Sequence, residues 1–351
     1  VTLAINDRNP GPAPAPARYR CHLVVPAFNE EDRIVRCLEA VLASPLPGRC
    51  SWSEWVILDG ASTDATVERA LATARRIPEM PALRIVTAPQ RQGKAADLGA
   101  WHRRLLAEGA GTADLVVIID ADAAPEHHSI AAILRPLLDD EGLGVVWGTD
   151  RPDDTSIGRW ASTFQMRLVD GLWRARGAET PRAYGRFLAY RPAAISGFSW
   201  QSHANLDDVQ LAEWVERERV PVRSAGGATV LVTPAGSQHD FLKQTVRYWT
   251  AVPDAATALG RTDRSGGLPV AARLAAAHPL MAGAYLVARL RAQRTQRHDR
   301  AELTHVWSPP ASTKGPVDRP GRTVKQEPSA RPGATPTLRS RQTGGVEDPA
   351  S

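Results

Sequence analysis

Leu115-Val116-Val117-Ile118-Ile119-Asp120-Ala121-Asp122 is the stretch that decides the fold. Five consecutive apolar, mostly β-branched residues suit a strand buried on both faces, as in a parallel sheet covered by helices. The run ends in two carboxylates. Alternate side chains of a strand share a face, so Asp120 and Asp122 are expected on one side of its carboxyl end. Two anions buried side by side cost several kcal/mol unless a cation compensates, and hard oxygen ligands with open positions suit Mg²⁺ or Mn²⁺ carrying a diphosphate. An Asp-rich strand exit without a metal has the same local pattern. The surrounding units must decide.

Working outward, Cys21-His-Leu-Val-Val-Pro26 reads as a strand, and Asn29 with Asp32 three residues on has the form of a helix-capping pair. Ile34, Cys37, Leu38, Val41 and Leu42 then recur at helical spacing. Trp55-Val-Ile-Leu-Asp59 is a second strand ending in an acid, followed by a helix predicted from about Ser62 to Arg76. Leu83-Arg-Ile-Val-Thr87 is a third strand, and a helix from about Gly93 to Glu108 leads to the strand ending at Asp120. This alternation predicts an α/β fold, Rossmann-like, with an open, mostly parallel sheet and right-handed crossovers. Ligands of such sheets bind at the carboxyl ends of the strands, which brings Asp59 and Asp120 to one crevice.

These residues carry a resemblance. Val24-Val-Pro-Ala-Phe-Asn-Glu-Glu31, Leu58-Asp-Gly-Ala-Ser-Thr-Asp-Ala-Thr66, Gln92-Gly-Lys-Ala-Ala-Asp-Leu-Gly99 and Ile119-Asp-Ala-Asp122 resemble, in order, the motifs of family 2 glycosyltransferases, which have the GT-A fold. Gly185 through Arg191, Gly197-Phe198, Leu206-Asp-Asp-Val-Gln-Leu211 and Gln244-Thr-Val-Arg-Tyr-Trp249 resemble the acceptor-side strand, the acidic motif and the Gln-x-x-Arg-Trp motif. The likeness runs from about residue 21 to 250. It implies a metal-dependent, inverting enzyme that moves a sugar from a nucleoside diphosphate sugar to an acceptor hydroxyl of a glycan, lipid or small natural product. Pro26, Ala27, Asn29, Glu30 and Asp59 become nucleoside contacts, Lys94 and Arg247 phosphate contacts, and Asp208 the general base, preceded by Asp207. Asp122 is the metal ligand, Asp120 a second ligand or a contact to ribose or sugar hydroxyls, and His239 a third ligand for Mg²⁺ or Mn²⁺.

The sequence departs from the family pattern twice. Asp97 stands where an Asn is usual, and Tyr248 separates Arg247 from Trp249, so either aromatic residue could be the acceptor platform. Simpler readings stand beside these roles: Asn29 as a helix cap, Glu30 and Glu31 as a solvated first turn, Lys94 as a surface lysine, Asp207 and Asp208 as a helix start, and His239 as a structural histidine. A sugar nucleotidyltransferase shares the architecture, but its Gly-rich loop is absent after the first strand. A non-catalytic nucleotide-sugar-binding protein is the other alternative.

Residues 308 to 351 hold seven Lys or Arg against four Asp or Glu, which is +3 of the formal +5. The remainder is nearly neutral, which does not suit a nucleic-acid surface. That tail has eight Pro and no aromatic residue, so it is expected to be disordered, as are residues 1–20. Between them lie a catalytic domain over 21–255, with a nucleotide-binding half at 21–125 and an acceptor half at 126–255, and a helical extension over 256–307. Three cysteines without metal-ligand spacing, and no basic segment leading into an apolar core, suggest a cytoplasmic protein. Leu268 to Leu290 is interrupted by Arg273, His278, Pro279 and Arg289. It is expected to be a helix pair packed on the domain, with peripheral membrane contact as the alternative.

Overall fold

The computed structural model describes residues 2–5, 19–182, 185–201, 207–237, 239–242, 244–245 and 264–298. Tyr184, Arg247, Tyr248, Trp249, most of the amino-terminal segment and the tail from 308 lie outside the described residues. The sheet is built from β1 (Thr2–Ile5), β2 (Tyr19–Ala27), β3 (Cys50–Asp59), β4 (Leu83–Thr87), β5 (Asp114–Ile119), β6 (Ala123–Pro125), β7 (Val145–Pro152), β8 (Phe187–Tyr190) and β9 (Val222–Val232). The strand order is β1-β4-β3-β2-β5-β8-β7-β9-β6. β4, β3, β2 and β5 run parallel, as the βα alternation predicts. Beyond β5 the sheet is mixed: β8 is antiparallel to β5 and β7, while β7 and β9 are parallel.

The alternation of side chains along the strands divides the core. Leu23, Val25, Ile57, Val117 and Ile119 face α1 (Ile34–Ala43), α2 (Thr66–Arg76) and α4 (Ser129–Asp139). Val24, Val56, Leu58, Val116 and Ile118 face α3 (Lys94–Ala107) and α6 (Asp207–Arg217). All ten of these strand residues are buried, and each such side chain contributes about 1.5–3 kcal/mol. Asp120 continues the register of Val116 and Ile118. It therefore emerges on the side of α3 and α6.

α5 (Trp160–Arg176) packs with two further helices, Arg264–Ala277 and Pro279–His298, through a cluster that includes Phe164, Ala282, Tyr285 and Ala288. Phe164 and Tyr285 stack with centroids 5.2 Å apart. The helix pair thus packs on the domain, although Leu268, Leu280, Leu286, Val287 and Leu290 remain exposed. Among the described residues no helix is long and apolar enough to cross a membrane.

At the opposite end of the strands from the crevice, His22 is buried between Asp114 and Glu54, with ring nitrogens 3.1 and 3.4 Å from their carboxylates. Arg20 and Arg84 pair with the same acids at 2.8 and 2.9 Å. Burial works against the His22 charge, but the bonds to Glu54 and Asp114 outweigh it and raise its pKa. A histidine raised on folding contributes stability below its unfolded pKa and loses it as pH rises through the folded one. His22→Gln should therefore cost most stability near about pH 6 and least near about pH 9. Urea denaturation at both pH values would measure this, and a gap that widened with pH would contradict it.

Candidate active site

Two loops at the carboxyl ends of β2 and β3 are tied together before any ligand is considered. Asn29 has φ 54° and its Oδ1 accepts the Thr63 amide at 2.8 Å, while its own amide donates to Ser62 Oγ at 2.9 Å. The Glu30 amide donates to Thr66 Oγ1 at 2.7 Å, and Glu31 Oε2 accepts the Ala65 amide at 3.2 Å. This corrects the capping expectation. α1 begins at Ile34 after Arg33, without a side-chain cap, and Asn29 instead braces a neighbouring loop from the left-handed region that asparagine tolerates. α2 likewise starts at Thr66, after the tied loop, rather than near Ser62. Asn29→Ala is expected to cost about 1–3 kcal/mol, combining left-handed strain with a lost hydrogen bond. Asn29→Gly, which keeps the conformation, should lose less in the same melting experiment.

The central cluster joins four elements. Gly93, at φ 95°, turns the chain into α3, whose first residue Lys94 places its Nζ 2.7 Å from Asp120 Oδ1 and 2.9 Å from Asp207 Oδ2. A cation is disfavoured at a helix amino terminus. Burial also opposes its charge, and Asp120 and Asp207 more than reverse both effects, raising the lysine pKa. Asp207 and Asp208 open α6, where the helix dipole favours acids. Asp208 Oδ1 accepts the Val209 amide at 3.0 Å and Oδ2 the Gly185 amide at 3.3 Å. Burial, reinforced by Asp207 and opposed by Lys94, pushes Asp208 up to about 7. Asp120 is pushed up to about 6, chiefly by burial, with Lys94 opposing and Asp122 adding to the shift.

Arg186 and Asp150 are members that sequence reasoning missed. Arg186 Nη1 lies 2.8 Å from Asp150 Oδ2, its Nε 3.6 Å from Asp122 Oδ1, and its carbonyl accepts the Asp120 amide at 3.0 Å. The signal is the antiparallel register that sets Phe187 against Ile119 and hence Arg186 beside Asp120. Arg33, buried in the loop after β2, also feels the Asp122 charge.

The donor set fits a divalent cation at Asp122. Its Oδ1 is buried and accepts no hydrogen bond among the described residues; the Arg186 ion pair at 3.6 Å is longer than a hydrogen bond, so the oxygen keeps an acceptor for a metal cation. No described three-ligand group brings His239 to Asp120 and Asp122. The histidine is exposed, and among the described residues no three His, Cys, Asp or Glu side chains form a ready metal cage. Pro26, Ala27 and Asp59 do line the same strand ends: the Gly60 amide donates to the Ala27 carbonyl at 2.9 Å, and Asp59 Oδ1 accepts the Ser62 amide at 3.1 Å.

The sequence profile of glycosyl transferase family 2 matches residues 22–197, half of the chain. The chain belongs to that family. It is similar to glucosyl-3-phosphoglycerate synthase of Mycolicibacterium smegmatis, 33% identical over 127 residues that cover 36% of this chain and 39% of the relative. It is also similar to dodecaprenyl-phosphate galacturonate synthase of Rhizobium johnstonii, 28% identical over 192 residues covering 50% and 54%. The matches thus span from about two fifths to about half the length of these relatives. In fold it resembles the mannosyltransferase PcManGT from Pyrobaculum calidifontis, whose structure is in complex with GDP-Man and Mn²⁺ (TM-score 0.54, 23% identity, 82% of this chain and 90% of that one).

Proposed function

We propose that the chain, with a catalytic domain over residues 21–255, transfers a sugar from a nucleoside diphosphate sugar to an acceptor hydroxyl with inversion, using Mg²⁺ or Mn²⁺. The observation that carries this reading is the Lys94 ammonium bonded to both Asp120 and Asp207, because it links the strand-end carboxylates to the acid pair of α6. Asp122, with Asp120 beside it, would hold the divalent cation, which would supply Lewis-acid stabilisation to the departing diphosphate. Lys94, at the start of α3, offsets phosphate charge, and Arg247 is assigned the same task. Asp208 takes the proton of the acceptor hydroxyl as its oxygen attacks the anomeric carbon and the bond to the diphosphate breaks. The bonds from the Val209 and Gly185 amides fix the carboxylate for that task. A single displacement inverts the configuration.

Glucosyl-3-phosphoglycerate synthase and dodecaprenyl-phosphate galacturonate synthase differ in both sugar and acceptor, so neither substrate carries over; a glycan, a lipid and a small natural product stay open as acceptors. The test is donor turnover across a panel of nucleoside diphosphate sugars, with Mn²⁺, Mg²⁺ or EDTA, and NMR of the anomeric product. Metal-dependent release of nucleoside diphosphate with an inverted product is expected. Donor binding without turnover against any acceptor class would favour a binding protein instead.

A further inference from the structure

A second pair of acids stands apart from the Asp120 cluster. Asp59 closes β3, buried, with Oδ1 committed to the Ser62 amide at 3.1 Å. Asp97, in the first turn of α3, reaches over the same strand end. A methyl group at Gly60 would stand 3.5 Å from Asp97 Oδ2, 3.5 Å from the Ala27 carbonyl and 3.7 Å from Phe28 Cβ, so all three surround the end of β3. Burial, then the charge of Asp59, pushes Asp97 up to about 6, with Arg91 opposing. Arg91 places its guanidinium carbon 3.3 Å from the centroid of the Phe28 ring. A flat group that donates hydrogen bonds from its edge therefore already lies on an aromatic face within reach of the Asp97 charge.

We propose that Phe28, Asp59 and Asp97 form the base subsite of the donor and that the base they select is guanine. This rests on the reading of the chain as dependent on a nucleoside diphosphate sugar. Guanine presents two adjacent donors, N1–H and the exocyclic N2–H, in the same pattern as the edge of a guanidinium. Uracil and thymine present one N–H between two carbonyl oxygens, and cytosine and adenine a donor next to an acceptor. Asp59, whose Oδ1 already accepts the Ser62 amide, offers Oδ2 to one of the two donors, and Asp97 supplies the acceptor for the other. Against uracil the same carboxylate meets a carbonyl oxygen, and two acceptors repel. The Phe28 face, which now carries Arg91, takes the plane of the base, and base stacking displaces the guanidinium. Asp97 is thus a specificity-determining residue, discriminating by an unmatched acceptor as much as by a bond made.

Isothermal titration with GDP and with UDP, each in Mn²⁺, tests the assignment on the whole chain. Wild type should bind GDP at least about tenfold more tightly than UDP, the effect of one charge-assisted hydrogen bond. Asp97→Asn and Asp97→Ala should each reduce that ratio about tenfold or more by weakening GDP, leaving UDP unchanged or tighter. Because both nucleotides are measured on one preparation, partial unfolding of a variant lowers both and leaves the ratio intact. Equal or tighter UDP binding by wild type, or a ratio unchanged in both variants, would overturn the guanine assignment alone. Failure of both nucleotides to bind wild type would overturn the nucleotide-sugar reading with it.

Discussion

Asp208→Asn should bind donor about as well as wild type and lose transfer by on the order of 10²–10⁴-fold, the usual contribution of a positioned general base. The amide keeps the shape but only one of the two acceptors that meet the Val209 and Gly185 amides, and it cannot take a proton. The same substitution removes a buried charge that is costly at alkaline pH. A carboxyl raised to about 7 binds its proton more tightly folded than unfolded, so the native state loses stability as pH climbs from about 4 through about 7. In EDTA the stability of the variant relative to wild type should therefore rise between about pH 4 and about pH 8, by on the order of a few kcal/mol, from a starting offset set by the lost hydrogen bond. Wild-type turnover should fall as pH drops through about 7, where Asp208 becomes protonated. Near-normal transfer by the variant would remove Asp208 from the mechanism, whereas a dead variant with no relative gain in stability towards alkaline pH would show that its carboxyl is not buried at a cost.

Asp122→Asn should abolish metal-dependent turnover, by on the order of 10²-fold or more, since Lewis-acid stabilisation amounts to several kcal/mol. The fold should survive, because Arg186 retains Asp150 at 2.8 Å when the longer contact to residue 122 weakens. The melting-temperature rise that saturating Mn²⁺ gives to wild type should shrink in the variant, because a ligand stabilises only in proportion to its affinity for the native state. Unchanged turnover with an unchanged response to Mn²⁺ would sink the assignment.

What the sequence revealed follows the length and locality of its signals. The five-residue run before Asp120 and the strand ending at Asp59 were readable because burial on both faces leaves a continuous apolar stretch. β6 and β8, at three and four residues, are too short to leave a period. The resemblance named a strand within Gly185 to Arg191, but neither its antiparallel neighbours nor a role for Arg186 was readable. Asn29 misled because its local pattern fits a cap; a partner in a loop over 30 residues away decides its conformation. Lys94 was legible as a cation at the crevice, but not as the bridge between Asp120 and Asp207, which depends on how α3 and α6 share one face of the sheet. His239, read as a third ligand, lies exposed on its segment; a dipeptide of His and Asp carries no information about direction.

The stitching of the loop after β2 to the loop after β3 bears on the speed and heat of donor capture. Segments already fixed by bonds from Asn29, Glu30 and Glu31 surrender little further freedom when a nucleoside arrives, so the ordering cost of that half of the crevice belongs to folding rather than to association. Encounter on this side is then limited by diffusion and orientation, not by waiting for a competent loop. The backbone amides of residues 29, 30, 63 and 65 each find an acceptor on the other loop in the unliganded chain, and their hydrogens should exchange with solvent only through a shared opening of both loops, slowly and at a common free energy.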